Sequence, residues 1–540
     1  MSDRKRSKVE FGDFQSPIKL AREVCALVAQ TGVYPASILE PTCGTGSFLR
    51  TSLEAFPNVL CALGFEINPE YVECARSAVS PIIPANAFVE IRQSDFFLTD
   101  WSKVIEKLPE PILVIGNPPW VTNAELSTLD SNNVPVKSNF DSLRGIDALT
   151  GKSNFDISEW MIRRNLEWLN GKNGLLAMLC KAAVARKVLL YAWENRLTVA
   201  SASLYHLDAQ KHFGATVDAG LLLIHTYPTG NSKECQVYDS LHSKQRAGSF
   251  GWRDERLIAE VNLYEKWKEL AGTGLKGWRS GIKHDSSKVF ELRLGNGRLV
   301  NGFGEYVNIE TNVLFPLLKS SDLALHRPPN RWLFVPQKTM SEDSGRLKID
   351  APKAWSYLVT HAHLLDNRRS SIYKNRPRFS IFGVGAYSFA PWKVAISGLY
   401  KKLDFVEVAP FQGRPVVFDD TCYFFPCTSE EECHVLHELI TSKPAKEFLS
   451  AFIFWDAKRP ITANLLNMLD LAALARVLGK ENDVTRKLAE QQIVDYTEGA
   501  RQQLLFREDA ATYESEPFAN QREMPAAQQS HAADADKPRR

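Results

Sequence analysis

The sequence predicts an α/β fold: a mainly parallel sheet with helices on both faces, continued by a mixed α+β region. Three observations carry this prediction. Short apolar runs recur at Ile38-Leu39, Leu63-Gly64-Phe65, Ile91 and Ile112-Leu113-Val114-Ile115, each leading to a polar or acidic residue. Strands of a parallel sheet behave this way, burying their length and releasing the chain at a carboxyl edge. The first run enters a turn with two glycines and then a helical stretch, Pro41-Thr42-Cys43-Gly44-Thr45-Gly46-Ser47-Phe48-Leu49. In the C-terminal half, glycine-punctuated strand patterns alternate with helical ones.

Each element of the first region has a chemical reading. Gly44 and Gly46 let the backbone approach a ligand closely, and the small residues beside them leave room for it. Glu66 closes the second strand about 20 residues on, where a carboxylate meets ribose hydroxyls. Leu49 stands where a third glycine would complete G-x-G-x-x-G, which argues against a nicotinamide or flavin enzyme. The third transition ends in Asp95-Phe96-Phe97, and the fourth strand leads into Gly116-Asn117-Pro118-Pro119-Trp120. Asn117 offers a side-chain oxygen to one hydrogen of an amino group. The Pro118 carbonyl offers an acceptor to the other, held still by the fixed φ of proline. Trp120 presents a flat face to a heterocycle. Two acceptors off the ring plane favour the tetrahedral nitrogen that can attack a methyl sulfonium, so such a site requires no strong base.

Residues from about 11 to 226 resemble the gamma class of adenine-specific DNA amino-methyltransferases of restriction–modification type, which use S-adenosylmethionine. The resemblance implies a Rossmann-like methyltransferase sheet followed by a mixed α+β DNA target-recognition domain. It implies that Ser16 and Pro17, in Phe14-Gln15-Ser16-Pro17, fold over the methionine end of the cofactor. Glu40, Thr42, Gly44 and Gly46 then form the cofactor loop, Glu66 and Ile67 meet the ribose, and Asp95 with Phe96 meets the adenine ring. Asn117 borders the cofactor and, with Pro118, Pro119 and Trp120, forms the catalytic motif. Phe213, in Lys211-His212-Phe213-Gly214, matches the aromatic that stacks on the extruded target base together with Trp120. The family more often carries Tyr or Phe where Trp120 stands.

Composition sets the wider frame. A chain of 540 residues, 44% of them hydrophobic, has room for roughly two to four domains with real cores. No apolar run reaches bilayer length, and the charged start Met1–Lys8 has no apolar stretch after it. Nine cysteines without paired spacing suit reduced thiols, so the expected location is the cytoplasm. A net charge of +2 does not by itself indicate nucleic acid, but its distribution is informative. Arg368, Arg369, Lys374, Arg376 and Arg378 follow Asp366 among Asn and Ser residues, a set suited to phosphates and base edges. A solvated basic loop is the plain alternative. Arg279, Lys283 and His284 are further candidate DNA contacts, on a segment that also reads as a basic surface turn. Cys422, Cys427, Cys433, His434 and His437 crowd together without a Cys-x-x-Cys pair, so core thiols are expected there and no metal. Asp156 reads as a helix N-terminal acid or as part of the catalytic pocket.

The expected division is a catalytic domain over 1–230, closing at the loop Pro228-Thr229-Gly230-Asn231-Ser232, and a recognition domain over 231–480. A helical junction is expected at 252–272, β-structure bent at glycines over Phe379–Phe389, and a strand over Pro391–Ile396. A further helix is expected at 481–507. No Ile, Leu or Val follows Leu505, so 508–540 is expected to be disordered. These readings converge on methylation of N6 of a flipped adenine within a specific duplex sequence. The cofactor is S-adenosylmethionine, the partner is double-stranded DNA, and a separately encoded restriction endonuclease or defence subunit is a further partner. The competing readings are a protein methyltransferase acting on a glutamine amide, whose family shares the Asn-Pro-Pro-aromatic motif, and a catalytically silent DNA-binding specificity subunit.

Overall fold

The computed structural model describes residues 15–120, 156–214, 217–272 and 277–481. The expected helix and tail beyond residue 481 therefore lie outside the described residues. The chain divides into two compact units. One is Met1–Gly281 with Phe315–Leu333 and Tyr387–Thr485, and the other is Ile282–Leu314 with Phe334–Ala386 and Arg486–Arg540.

In the first unit the apolar runs build a ten-stranded sheet. β1 (Ser37–Glu40), β2 (Cys61–Glu66), β3 (Phe88–Gln93), β4 (Ile112–Gly116) and β5 (Gly174–Lys181) pair in parallel in the order β3-β2-β1-β4-β5. Next come β6 (Val199–Asp208) and β7 (Asp218–Thr226), with β7 inserted antiparallel between β5 and β6. The sheet does not stop at the loop after Tyr227, since β8 (Glu234–Tyr238), β9 (Gly248–Arg253) and β10 (Arg256–Ile258) extend it beyond β6.

Every residue of β1 and β4 is buried, as is β5 through Cys180, because helices cover both faces. On one face α1 (Ile18–Ala29), α2 (Ser47–Ala55) and α3 (Pro69–Val79) pack Val24, Phe48, Leu53 and Val79 with Ile38, Leu113 and Ile115. On the other, α4 (Ile157–Trp168) and α5 (Ala182–Glu194) pack Ile162, Leu166 and Val188 with Leu39, Ile112, Val114 and Leu176. Neighbouring residues of β4 thus serve opposite cores, the two-residue period of a strand. Strands β2 and β3 lie to one side of β1, and β4 and β5 to the other. This reversal opens a crevice outside the carboxyl ends of β1 and β4, where open α/β sheets bind ligands.

The helix expected at 252–272 is shorter than its pattern suggested. Residues 252–258 form the β9–β10 hairpin, turning at Asp254 and Glu255 with φ of 48° and 58°, the positive values a two-residue hairpin turn uses. Trp252 and Leu257 pack against the sheet core, and only Val261–Trp267 is α-helical. The first unit also holds an antiparallel sheet ordered Arg279–Ser280, Cys422–Cys427, Trp392–Ser397, Phe405–Val408, which contains the strand expected over Pro391–Ile396.

The second unit carries antiparallel strands Glu291–Gly295, Arg298–Val300 and Tyr306–Val307 beside helices Pro352–Thr360 and Ala362–Asp366. The β-structure expected over Phe379–Phe389 is absent; the segment makes one isolated bridge, Phe382 to Lys283, and ends in a 3-10 turn at Ala386–Phe389. Side chains take the place of a partner strand. Gln337 donates to Ile381 O at 3.3 Å and accepts from its N–H at 3.3 Å, and Arg368 donates to Ser380 O at 2.7 Å. No helix among the described residues is long and apolar enough to cross a membrane.

Candidate active site

β1 delivers Glu40 to the crevice. Its side chain is 2% exposed, and Oε2 accepts the Leu49 N–H at 2.8 Å, tying the strand to α2. Burial pushes its pKa well above the usual carboxylate range; the Leu49 bond opposes this and the charge of Glu66 adds to it. The turn between strand and helix needs its glycines. Gly44 and Gly46 have φ of 51° and 82°, and a Cβ would come within 2.6 Å of Gln15 Oε1 at the first and 3.0 Å of Ala75 Cβ at the second. Thr42 is half-buried in the same turn. Glu66, at the end of β2, accepts the Gly44 N–H at 2.8 Å and the Asn68 N–H at 2.9 Å. Beside it Ile67 is 38% exposed, and Asp95 accepts the Phe97 N–H at 2.7 Å.

This set fits S-adenosylmethionine. A buried carboxylate acted on by a second carboxylate calls for a cation, which the sulfonium and ammonium groups provide. Glu66 closes β2 at the same edge, where the resemblance would have a ribose diol met. Phe96, expected to meet the adenine ring, lies in an aromatic cluster. It is 6% exposed and packs among Phe97, Trp101, Trp160 and Trp168. Ser16 is half-buried, and Pro17 precedes α1 with its carbonyl accepting the Ala21 N–H at 3.1 Å. Phe14 lies outside the described residues. Gln15 and Thr45 escaped the sequence reading: Gln15 Oε1 accepts both the N–H and the hydroxyl of Thr45 at 3.1 Å. The only sequence signal was the place of Gln15 beside Ser16-Pro17.

β4 brings Asn117-Pro118-Pro119-Trp120 alongside. A Cβ at Gly116 would lie 3.6 Å from Glu40 Cγ, so Asn117 follows directly on a residue in contact with the cofactor crevice. Asn117 and Pro119 are half-buried and Pro118 is buried. Trp120 is 7% exposed, its indole N–H donating to Leu179 O of β5 at 3.3 Å. Phe213 ends a short helix, Ala209–Phe213, capped by Asp208 and stopped by Gly214 at φ 68°. The sequence reading joined Trp120 and Phe213, and the structure brings them together, but edge to face rather than as parallel walls. Asp156 caps α4, accepting from the Ser158 N–H at 3.0 Å and its hydroxyl at 2.6 Å. Its other oxygen accepts from Lys181, the last residue of β5, at 2.6 Å. Lys181 was not singled out from sequence; its signal is a lone cation closing seven buried residues.

The candidate DNA contacts divide. The Arg279 guanidinium lies over the Tyr387 ring at 5.3 Å. Lys283 is half-buried with its backbone paired to Phe382. His284 is buried, Nε2 facing Glu291 at 3.4 Å, and is no open contact. Arg368, expected as a phosphate ligand, is half-buried and held on three backbone carbonyls. Arg378 pairs with Asp366 through bonds of 3.2 and 2.6 Å. Arg369 and Lys374 are exposed and Arg376 half-buried, with no side-chain hydrogen bond or ion pair among the described residues. Cys422, Cys427 and Cys433 are buried, and His434 and His437 both turn to Glu407. No group of three or more His, Cys, Asp or Glu among the described residues is placed to hold a metal.

A switch-point crevice with paired carboxylates, a glycine turn and an adjoining Asn-Pro-Pro-Trp edge defines a methyltransferase that uses S-adenosylmethionine. No protein-family model matches the chain. It is 43% identical over 477 residues to the type II methyltransferase M.NspV of Nostoc sp., an alignment spanning 88% of this chain and 98% of that protein. A stretch of 105 residues is 33% identical to the type II methyltransferase M.CvrRI of Paramecium bursaria Chlorella virus XZ-6E, spanning 19% of this chain and 24% of that one. Among solved structures, the type IIL restriction–modification enzyme MmeI in complex with DNA aligns at 13% identity with a TM-score of 0.47, over 94% of this chain and 78% of that one. The chain belongs to the type II methyltransferases, the DNA-modifying enzymes of restriction–modification systems, with S-adenosylmethionine as methyl donor. Kinship over almost the whole of such an enzyme disfavours both the glutamine methyltransferase and the silent specificity subunit.

Proposed function

We propose that the chain methylates N6 of an adenine within a specific sequence of duplex DNA. The observation that carries this reading is the place of Asn117-Pro118-Pro119-Trp120, one residue beyond the contact between Gly116 and Glu40. The Asn117 side-chain oxygen and the Pro118 carbonyl accept the two amino hydrogens and turn the nitrogen lone pair toward the crevice. S-adenosylmethionine supplies the electrophilic methyl group. Orientation by two fixed acceptors, rather than proton abstraction, is the protein's contribution, because the amine sheds its proton readily once alkylated. The base reaches this edge only when extruded from the helix, and the Trp120 and Phe213 rings then cover it. Arg369, Lys374 and Arg376 supply phosphate contacts. A separately encoded restriction endonuclease is the expected partner, and the cytoplasm the expected location.

Expression in a host without DNA methylation, followed by mapping of modified bases on native DNA, tests this reading. N6-methyladenine at one enriched motif supports it. N4-methylcytosine at a motif, or unmodified DNA from a folded, cofactor-binding protein, overturns it.

A further inference from the structure

Arg368 is a half-buried cation outside the methyl-transfer edge. Within the second unit its Nε–H donates to Leu365 O at 2.9 Å, and Nη1 donates to Ser380 O at 2.7 Å and to His284 O at 3.1 Å. The guanidinium lies over the Tyr373 ring, 3.7 Å from its centroid, and the Tyr373 hydroxyl donates to Lys283 O at 3.3 Å. A guanidinium keeps its charge at any physiological pH, and a charge at this depth persists only when it is well hydrogen-bonded.

These bonds fasten one loop at both ends and in its middle. Arg368 opens the loop, Ser380 closes it, and Tyr373 holds its centre. The Arg378–Asp366 pair and the Arg378 guanidinium, 4.5 Å over the Phe379 ring, brace the same stem, and the Ser344 hydroxyl donates to Arg378 O. Between these fixings stand the solvent-facing cations Arg369 and Lys374 and the half-buried Arg376, with Asn375 turning the chain at φ 59°. Cations left in water on a backbone held in place form a preorganised phosphate-binding surface. A loop that served only solubility would gain nothing from a guanidinium bonded to three backbone carbonyls at its root.

We propose that Arg368 is a positioning residue. It holds the loop 369–376 in the shape in which Arg369, Lys374 and Arg376 meet the sugar–phosphate backbone of the target duplex, and it touches no DNA itself. This rests on the reading of the chain as a sequence-specific DNA methyltransferase.

The test measures binding of the full chain to a duplex carrying its mapped motif and to one lacking it, from about 50 to 300 mM salt. Each phosphate contact contributes about 0.9 to the slope of log K against log salt. Arg369→Ala with Lys374→Ala is expected to flatten that slope by about 1.8. Arg368→Met is expected to leave the non-specific slope unchanged while the preference for the motif falls at least about tenfold, with S-adenosylmethionine affinity as the folding control. If Arg368→Met does not fold, Arg368→Lys replaces it. Lysine keeps the charge but cannot span three carbonyls and stack, so the same loss of preference is expected. Wild-type slope in the double variant, a slope reduced by about 0.9 in the Arg368 variant, or wild-type preference in it would each overturn the proposal. A wild-type protein with no motif preference would overturn the underlying reading instead.

Discussion

Trp120 and Phe213 meet edge to face, with ring centroids 5.2 Å apart and planes at 69°. Two rings in contact leave no slot for a third, so on the proposed function an adenine enters only when the pair opens. Trp120 is tied to Leu179 O on β5, whereas Phe213 sits on a five-residue helix, so Phe213 is the wall expected to move.

Phe213→Ala is therefore expected to lower kcat/KM on duplex DNA by the loss of one stacking face, about 1–3 kcal/mol, with little effect on cofactor binding. Trp120→Ala is expected to cost folding stability as well, because its indole is buried and bonded. With 2-aminopurine at the target position, the wild type should brighten the probe by unstacking it, and Phe213→Ala should change that signal. An unaltered signal in a folded variant would remove Phe213 from the pocket.

Glu40 gives a pH-dependent prediction. Burial raises its pKa above the usual 4.5, so the folded state holds a proton there that the unfolded state has released. The stability from this group is fully present below about pH 4.5 and is lost as pH rises through the folded pKa. Glu40→Gln should flatten this decline in denaturation curves recorded between about pH 5 and 8. A cationic cofactor favours the carboxylate, so binding should release a proton from the wild type and none from Glu40→Gln. Calorimetry in two buffers of different ionisation enthalpy reads the difference, and equal release by both proteins would place Glu40 outside the cofactor site.

The Asp156–Lys181 pair joins the start of α4 to the end of β5 at 2.6 Å. Asp156→Ala strands a partly buried cation and removes a helix cap. The expected loss is about 3 kcal/mol, the low end for a buried pair, because Lys181 keeps 26% of its side chain exposed. Urea unfolding measures it; a loss under about 1 kcal/mol, the range of exposed pairs, would contradict the assignment.

The sheet was legible because it rests on local patterns, apolar runs that end at Glu40, Glu66 and Asn117. What the local pattern does not reveal depends on distant partners. Arg368 and Arg369 are adjacent in sequence, yet one is bonded to carbonyls of residues 284 and 380 while the other faces solvent. Composition cannot separate them. The alternation over Phe379–Phe389 looked like a strand, but side chains of Gln337 and Arg368 satisfy the backbone there. Phe96 packs against Trp101, which is local, and against Trp160 and Trp168, which are distant in sequence and which no local pattern signals. Lys181 went unnoticed because its partner Asp156 lies 25 residues earlier, at the start of another element.

The central claim is that Asn117 orients the amino group that accepts the methyl. Single-turnover transfer of labelled methyl from S-adenosylmethionine to a motif-bearing duplex, in Asn117→Ala and wild type side by side, tests it most directly. Removing one oriented polar group at a reacting centre costs roughly 3 kcal/mol, a hundredfold or more in rate. The expected outcome is that loss together with cofactor affinity close to wild type. Turnover near the wild-type rate in the variant would contradict it.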